Sequence, residues 1–128
     1  MGVAAQAQAG PVLCAYPTPS LLRSANPGIF YEHQSSTVTI KLSNPSCTTV
    51  SVTVSTAPDT AQPWQDYVPV TKTLVFSPGE TSKSVTIYGV DDTVQEGVKW
   101  FKIPLTSVKG ATPPSSTGLL AVEGVEAQ

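Results

Sequence analysis

From Thr37 the chain alternates apolar and polar positions with a period of two. Val38, Ile40 and Leu42 share one face and Thr37, Thr39 and Lys41 the other; after a break at Asn44-Pro45-Ser46 the pattern resumes at Val50, Val52 and Val54. This predicts two antiparallel strands joined by a turn. A stretch carrying Pro58, Pro63 and Pro69 leads to Leu74 and Phe76, which alternate up to Ser77-Pro78-Gly79-Glu80, where Pro followed by Gly marks a tight turn. Val85 and Ile87 form the next alternating face, and Phe101, Ile103 and Leu105 a later one. No segment sustains a helical period. Short strands separated by turn signals predict an antiparallel β-sandwich, closed by a last strand near Leu119 to Glu123. Pro104 removes a ladder donor, so an exposed edge is expected in its strand.

Composition sharpens this picture. The chain of 128 residues is the size of one domain. Charged residues make up 12% and apolar residues 40%, which is not the composition of a disordered, self-repelling polymer. Thirty Ser or Thr and sixteen Val are a strand-former's inventory. A net charge of -2, with seven Lys or Arg scattered singly, leaves no basic stripe for phosphates and argues against nucleic acid or an anionic membrane surface. No apolar run approaches the length of a membrane span.

The ends leave alternatives open. Ala7-Gln8-Ala9 has the small-residue form of a signal-peptidase site without a charged or apolar region before it, while Ala5, Ala7 and Ala9 alternate with Gln6 and Gln8 as an extended arm would. Cys14 and Cys47 are the only cysteines. They lack metal-site spacing, and are either two thiols or one disulfide tying the N-terminal segment to the body of an exported protein. The Pro/Thr/Ser clusters at 16–20 and 112–116 are ordinary loops or carriers of sugars. Asn26 and Asn44 are each followed by Pro, which spoils a glycosylation sequon.

Asp91, Asp92 and Glu96 sit within six positions, just after a strand ends at Val90. Such a cluster is either a solvated acidic turn or part of a calcium site, because calcium takes several oxygen ligands from carboxylates and loop carbonyls. In the wider chain, Asp66-Tyr67 is followed by Leu74-Val75-Phe76-Ser77-Pro78-Gly79-Glu80-Thr81-Ser82-Lys83-Ser84-Val85-Thr86-Ile87, by Asp91-Asp92-Thr93-Val94-Gln95-Glu96-Gly97, and then by Phe101 and Leu105. This succession resembles the Calx-β domain, a family named for the calcium-sensing domains of sodium/calcium exchangers and frequent in extracellular adhesion proteins. The resemblance covers about Ile29 to Val108. It implies an all-β, immunoglobulin-like antiparallel sandwich of about seven strands, placed at 29–128, with residues 1–28 as an N-terminal extended arm or leader remnant.

It also implies ligand positions at Glu32, Asp66, Asp91, Asp92 and Glu96, with Val94 offering its backbone carbonyl. Two departures bear on affinity. Lys99 stands where calcium-binding members have an acid, and Val122-Glu123-Gly124-Val125-Glu126 replaces a run of aspartates. Both remove negative charge from the site, so the expectation is one weak or vestigial calcium site.

Other chemistry is sparse. His33, next to Glu32, is the sole histidine and a surface residue rather than the centre of a catalytic triad. Trp64 and Trp100 are expected at core or edge positions more than as a sugar-stacking platform, although Trp100 is out of phase with Phe101, Ile103 and Leu105. With no nucleophile and base to pair, an enzyme is not expected. The expected function is a structural or adhesive module, extracellular or at the cell surface, that joins protein partners by self-association or beside neighbouring modules. In the fullest form of this reading it is a subunit of a fibre or surface assembly linked by strand addition of the N-terminal arm. The alternative is a calcium-binding regulatory or adhesion switch.

Overall fold

The structure, a computed structural model, describes residues 14–91, 97–114 and 119–123, the last of these as backbone alone. Among them are ten strand segments: β1 (Leu21–Asn26), β2 (Ile29–Tyr31), β3 (Ser35–Leu42), β4 (Val50–Ser55), β5 (Ala57–Pro58), β6 (Thr71–Phe76), β7 (Ser82–Tyr88), β8 (Val98–Lys102), β9 (Leu105–Lys109) and β10 (Leu119–Glu123). One sheet has the order β1-β3-β7. The other strands form β2-β10-β8-β5 and β6-β4-β9. These last two are halves of one bent sheet, because only Thr56 separates β4 from β5 and only Ile103-Pro104 separates β8 from β9. Joined across those breaks and across Pro27-Gly28, where the chain passes from one sheet to the other, the ten segments make seven continuous strands. Every pairing is antiparallel except that of β2 with β10.

The period-two faces meet as one core. Val38 and Ile40 of β3, Val50, Val52 and Val54 of β4, Phe76 of β6, Ile87 of β7 and Phe101 of β8 are all essentially inaccessible to solvent. Each such side chain contributes roughly 1.5–3 kcal/mol by leaving water. Buried Ser36 keeps the inward phase of β3 and donates from Oγ to the Pro27 carbonyl at 2.6 Å, which fixes the crossing between sheets against β3. The Pro-Gly turn is of type II: the Glu80 N–H donates to the Ser77 carbonyl at 2.9 Å, and Gly79 at the third position has φ 93°.

Three expectations change. β3 and β4 are not a hairpin; β3 pairs β1 and β7, β4 pairs β6 and β9, and residues 43–49 cross between sheets. Strands on opposite sheets bury their faces in the same core, so alternation alone does not distinguish them from paired neighbours. The strand expected through Phe101, Ile103 and Leu105 is broken at Pro104, whose missing donor falls at the bend. The arm expected ahead of residue 29 belongs in good part to the sandwich: β1 pairs with β3 from Leu21↔Leu42 to Asn26↔Thr37, and Leu21 is in the core. Its membership is hard to see in sequence because Leu21-Leu22 breaks alternation and the remaining positions are small or polar. Residues 1–13, with Ala7-Gln8-Ala9, lie outside the described residues.

Cys14 and Cys47 form a disulfide with a Cα separation of 5.7 Å. Together with the Asn44 side-chain amide, which donates to the Pro17 carbonyl at 2.9 Å, it binds the segment before β1 to the 43–49 crossing. The bridge spans 33 residues, a loop whose closure removes roughly 4 kcal/mol of unfolded-state entropy. Replacing both cysteines by serine is expected to lower the unfolding free energy by about 2–4 kcal/mol, measured as a fall in the denaturant midpoint together with a steeper slope, because the unfolded chain loses its cross-link and expands.

Candidate cation site

At the end of the sandwich opposite the disulfide, two buried carboxylates are delivered by different elements. Glu32 follows β2 directly and keeps its alternation: Phe30 is buried, Tyr31 exposed and Glu32 1% exposed. Asp66 is 2% exposed and stands in the loop between β5 and β6. Its neighbour anchors it. The Tyr67 ring is wholly buried and stacks on Phe101 with centroids 4.0 Å apart and planes 13° apart, and Phe101 in turn meets Phe30 edge-on at 6.3 Å. Tyr67 therefore supplies the apolar fixing point and Asp66, one residue earlier, the charge.

Gly89 joins the two segments. It lies just past β7, donates its N–H to the Gln34 carbonyl at 2.9 Å and bridges Tyr67 in antiparallel fashion. A Cβ at this position would stand 2.5 Å from the Glu32 carbonyl oxygen and 2.7 Å from its Cα, so the backbones approach as closely as only glycine allows. The ladder continues on both sides: Val68 N–H donates to Tyr88 at 2.8 Å and Val90 N–H to Asp66 at 3.0 Å. Asp91 follows immediately and is exposed. Three of the six expected ligand residues, Glu32, Asp66 and Asp91, are thus brought to one end of the fold. Asp92, Val94 and Glu96 lie outside the described residues.

The Asp66 carboxylate is half satisfied. Oδ2 accepts the Gln62 N–H at 2.8 Å, and the Asp66 N–H donates back to the Gln62 carbonyl at 2.9 Å. Oδ1 is buried without a hydrogen-bond partner. An ionised carboxylate with a buried, unmatched oxygen is short of positive charge, and a hard cation that takes oxygen ligands supplies that charge. The donor set therefore fits calcium chemistry. The Tyr67 hydroxyl responds to the same environment: burial, and after it the neighbouring Asp66 charge, push its pKa above the ordinary tyrosine value. Among the described residues no three His, Cys, Asp or Glu side chains are close enough to hold a metal by themselves. The described part is a partial set of two buried acids and one exposed acid.

Lys99 is half-buried on the inward phase of β8, in the register row that runs through Val122 to Phe30. A cation therefore occupies a strand position facing the same end. Val122 and Glu123 close β10, with Glu123 in register with Tyr31 and Val98; residues 124–126 lie outside the described residues. His33 is exposed and stacks on Tyr31 at 5.7 Å. Trp64 and Trp100, expected at core or edge positions, are 68% and 39% exposed. Sequence reasoning missed Gln62 and Gly89. Nothing marks Gln62, but a glycine between Tyr88 and Val90 at a strand end is a signal of close backbone approach.

With this geometry in view, residues 29–125 match the family model described as the Calx-beta domain, and the chain belongs to that family of non-catalytic modules. Calcium binding is a known but variable property of these domains. Adhesion G-protein coupled receptor V1 of Danio rerio is 47% identical over 60 residues, 46% of this chain and 1% of that protein. Sodium/calcium exchanger 1 of Canis lupus familiaris is 35% identical over 79 residues, 62% of this chain and 8% of that protein. The chain thus spans a small part of the curated relatives it matches. The crystal structure of the apo-form Calx CBD1 domain superposes with a TM-score of 0.70 at 23% identity, covering 85% of this chain and 99% of that one. The CBD12 structure from CALX1.2 gives 0.69 at 24%, covering 80% and 42%. At these identities the two structures establish the fold.

Gly89→Ala is expected to destabilise the domain by about 1–3 kcal/mol, because backbone and not a flexible side chain blocks the methyl group. Gly28→Ala, where a Cβ meets nothing within 4 Å, serves as the neutral control in thermal unfolding.

Proposed function

We propose that this domain is a calcium-binding regulatory module, in which ion binding stiffens one end of the sandwich and changes how that end meets a neighbouring module. The observation that carries the reading is the buried Asp66 carboxylate with its unmatched Oδ1, held at the same end as buried Glu32. In the proposed site Glu32, Asp66, Asp91, Asp92 and Glu96 contribute carboxylates and Val94 a backbone carbonyl. Calcium supplies the positive charge that allows several carboxylates to share one place. The residues do the rest: Tyr67 fixes Asp66 through its stack on Phe101, Gln62 orients one carboxylate oxygen, and Gly89 holds the Glu32 and Asp66 segments together. Lys99 and the absence of an aspartate run at 122–126 limit the charge available, so affinity in the range of extracellular modules, roughly 0.1–1 mM, suits the site.

A second reading, a structural or adhesive module outside the cell, is supported by the disulfide, which persists in oxidising compartments, and by the likeness to an adhesion receptor. The two readings coexist where calcium rigidifies an adhesive chain. Assembly through a long N-terminal arm has less support, because β1 already pairs within its own sheet and Cys14 is tied to Cys47.

Differential scanning calorimetry in chelator and then in calcium tests the proposal. Calcium at ten times its dissociation constant stabilises a one-site protein by about 1.4 kcal/mol, an upward shift of roughly 4–7 °C for a domain this size. Asp66→Asn, which keeps an acceptor for the Gln62 N–H, is expected to abolish most of the shift while folding normally in chelator. No shift in the native protein up to 10 mM calcium would sink the calcium reading.

A further inference from the structure

β6 is the outermost strand of the larger sheet and β7 the outermost strand of the smaller one. Between them, on the open side of the sandwich, runs a groove of about 380 Å³ lined by Lys72, Thr73, Leu74, Val75, Lys83 and Ser84. Among the described residues no strand pairs with β6 along it. Val70 faces its partner strand: its carbonyl accepts the Thr56 N–H at 2.9 Å and its N–H donates to Thr56 Oγ1 at 3.0 Å. The β4 to β6 register continues this pair without a shift through Val54↔Lys72 and Val52↔Leu74 to Val50↔Phe76. In an antiparallel ladder alternate residues turn both backbone groups the same way. The N–H and C=O groups of Thr71, Thr73 and Val75 therefore point away from β4, toward the open side.

Charge selects what that edge accepts. Lys72 shares the inward phase of buried Leu74 and Phe76, and Lys83 that of buried Val85 and Ile87, so an ammonium rises from the rim of each sheet into the groove. Inward-pointing lysines repel an identical edge and discourage self-pairing. The same charges attract carboxylates. Lys83 already contacts Glu80 Oε1 at 3.6 Å, an exposed ion pair of little energetic weight, and that oxygen is held more firmly by the Ser77 N–H at 2.7 Å. We propose that the open edge of β6 captures an extended acidic peptide as an additional antiparallel strand, its main chain bonded to Thr71, Thr73 and Val75 and its carboxylates facing Lys72 and Lys83. This site lies on a different side of the fold from the acidic end and does not depend on the calcium reading.

The test is titration of the isotope-labelled full chain, in chelator, with the capped hexapeptide of alternating valine and glutamate, its valine-lysine counterpart, and a form of the acidic peptide N-methylated at alternate residues. The acidic peptide is expected to shift the amide resonances of Thr71, Thr73 and Val75. Its affinity should fall at least tenfold in the Lys72→Glu, Lys83→Glu double variant, and the N-methylated form, which keeps every carboxylate but loses backbone donors, should not bind. Thr73→Pro, which removes an outward N–H and no backbone bond to β4, with only the exposed hydroxyl contact to Thr53 at 3.2 Å lost beside it, should also abolish binding. Absence of binding at millimolar peptide, equal binding of the lysine peptide, or undiminished binding of the N-methylated form would each overturn strand capture.

Discussion

The acidic end of this domain exists because Gly89 has no side chain. Glu32 and Asp66 arrive from segments more than thirty residues apart in sequence, and the stretch leaving β7 touches both. A Cβ there would lie inside the van der Waals envelope of the Glu32 carbonyl. Because Gly89 also bridges Tyr67, one point of contact sets the spacing of Glu32, of the Asp66-Tyr67 pair and of the chain as it enters Asp91. The aromatic stack of Tyr67 on Phe101, backed by Phe30, makes that spacing rigid from below. Charge is thus held together by an apolar platform and a steric vacancy, neither of which carries charge itself.

The sequence was informative where one physical signal dominated. Alternation of Val38, Ile40 and Leu42, and of Val50, Val52 and Val54, marked strands that are strands, because half-buried sheet residues must alternate. The Ser77-Pro78-Gly79-Glu80 turn was legible because positive φ at the third position selects glycine. Strand pairing was not legible: β3 and β4 bury equivalent valine and isoleucine faces, and nothing local says whether the partner lies beside a strand or across the core. Nor was β1, where Leu22 faces solvent beside core Leu21 and small or polar residues fill the rest.

For the candidate site, the residue types were visible and their satisfaction was not. The resemblance alone marked Asp66 as a ligand position, and the structure shows a division of labour between an anchored ring and a carboxylate. The Gln62 N–H on Oδ2 and the unmatched Oδ1 depend on how a proline-bearing loop closes on itself, which no spacing rule encodes. Lys99 shows the converse. Its departure from the family pattern was evident in sequence, while the half-buried inward position that gives the departure electrostatic weight required the strand register.

The one parallel pairing of strands among the described residues, β2 with β10, has a mechanical consequence. Cys14 is fastened at one pole of the sandwich, and β10 leaves through Glu123 at the other, in register with Tyr31 and Val98. Tension applied between those two points passes from Cys14 through the disulfide to Cys47, leaving β1 inside the closed loop, and at the other pole it pulls along β10 rather than across it. The ladders of β10 with β2 and β8 are then loaded in shear, so that their hydrogen bonds must yield together instead of opening one after another. A covalent clasp stands at the first pole and the two buried carboxylates at the second.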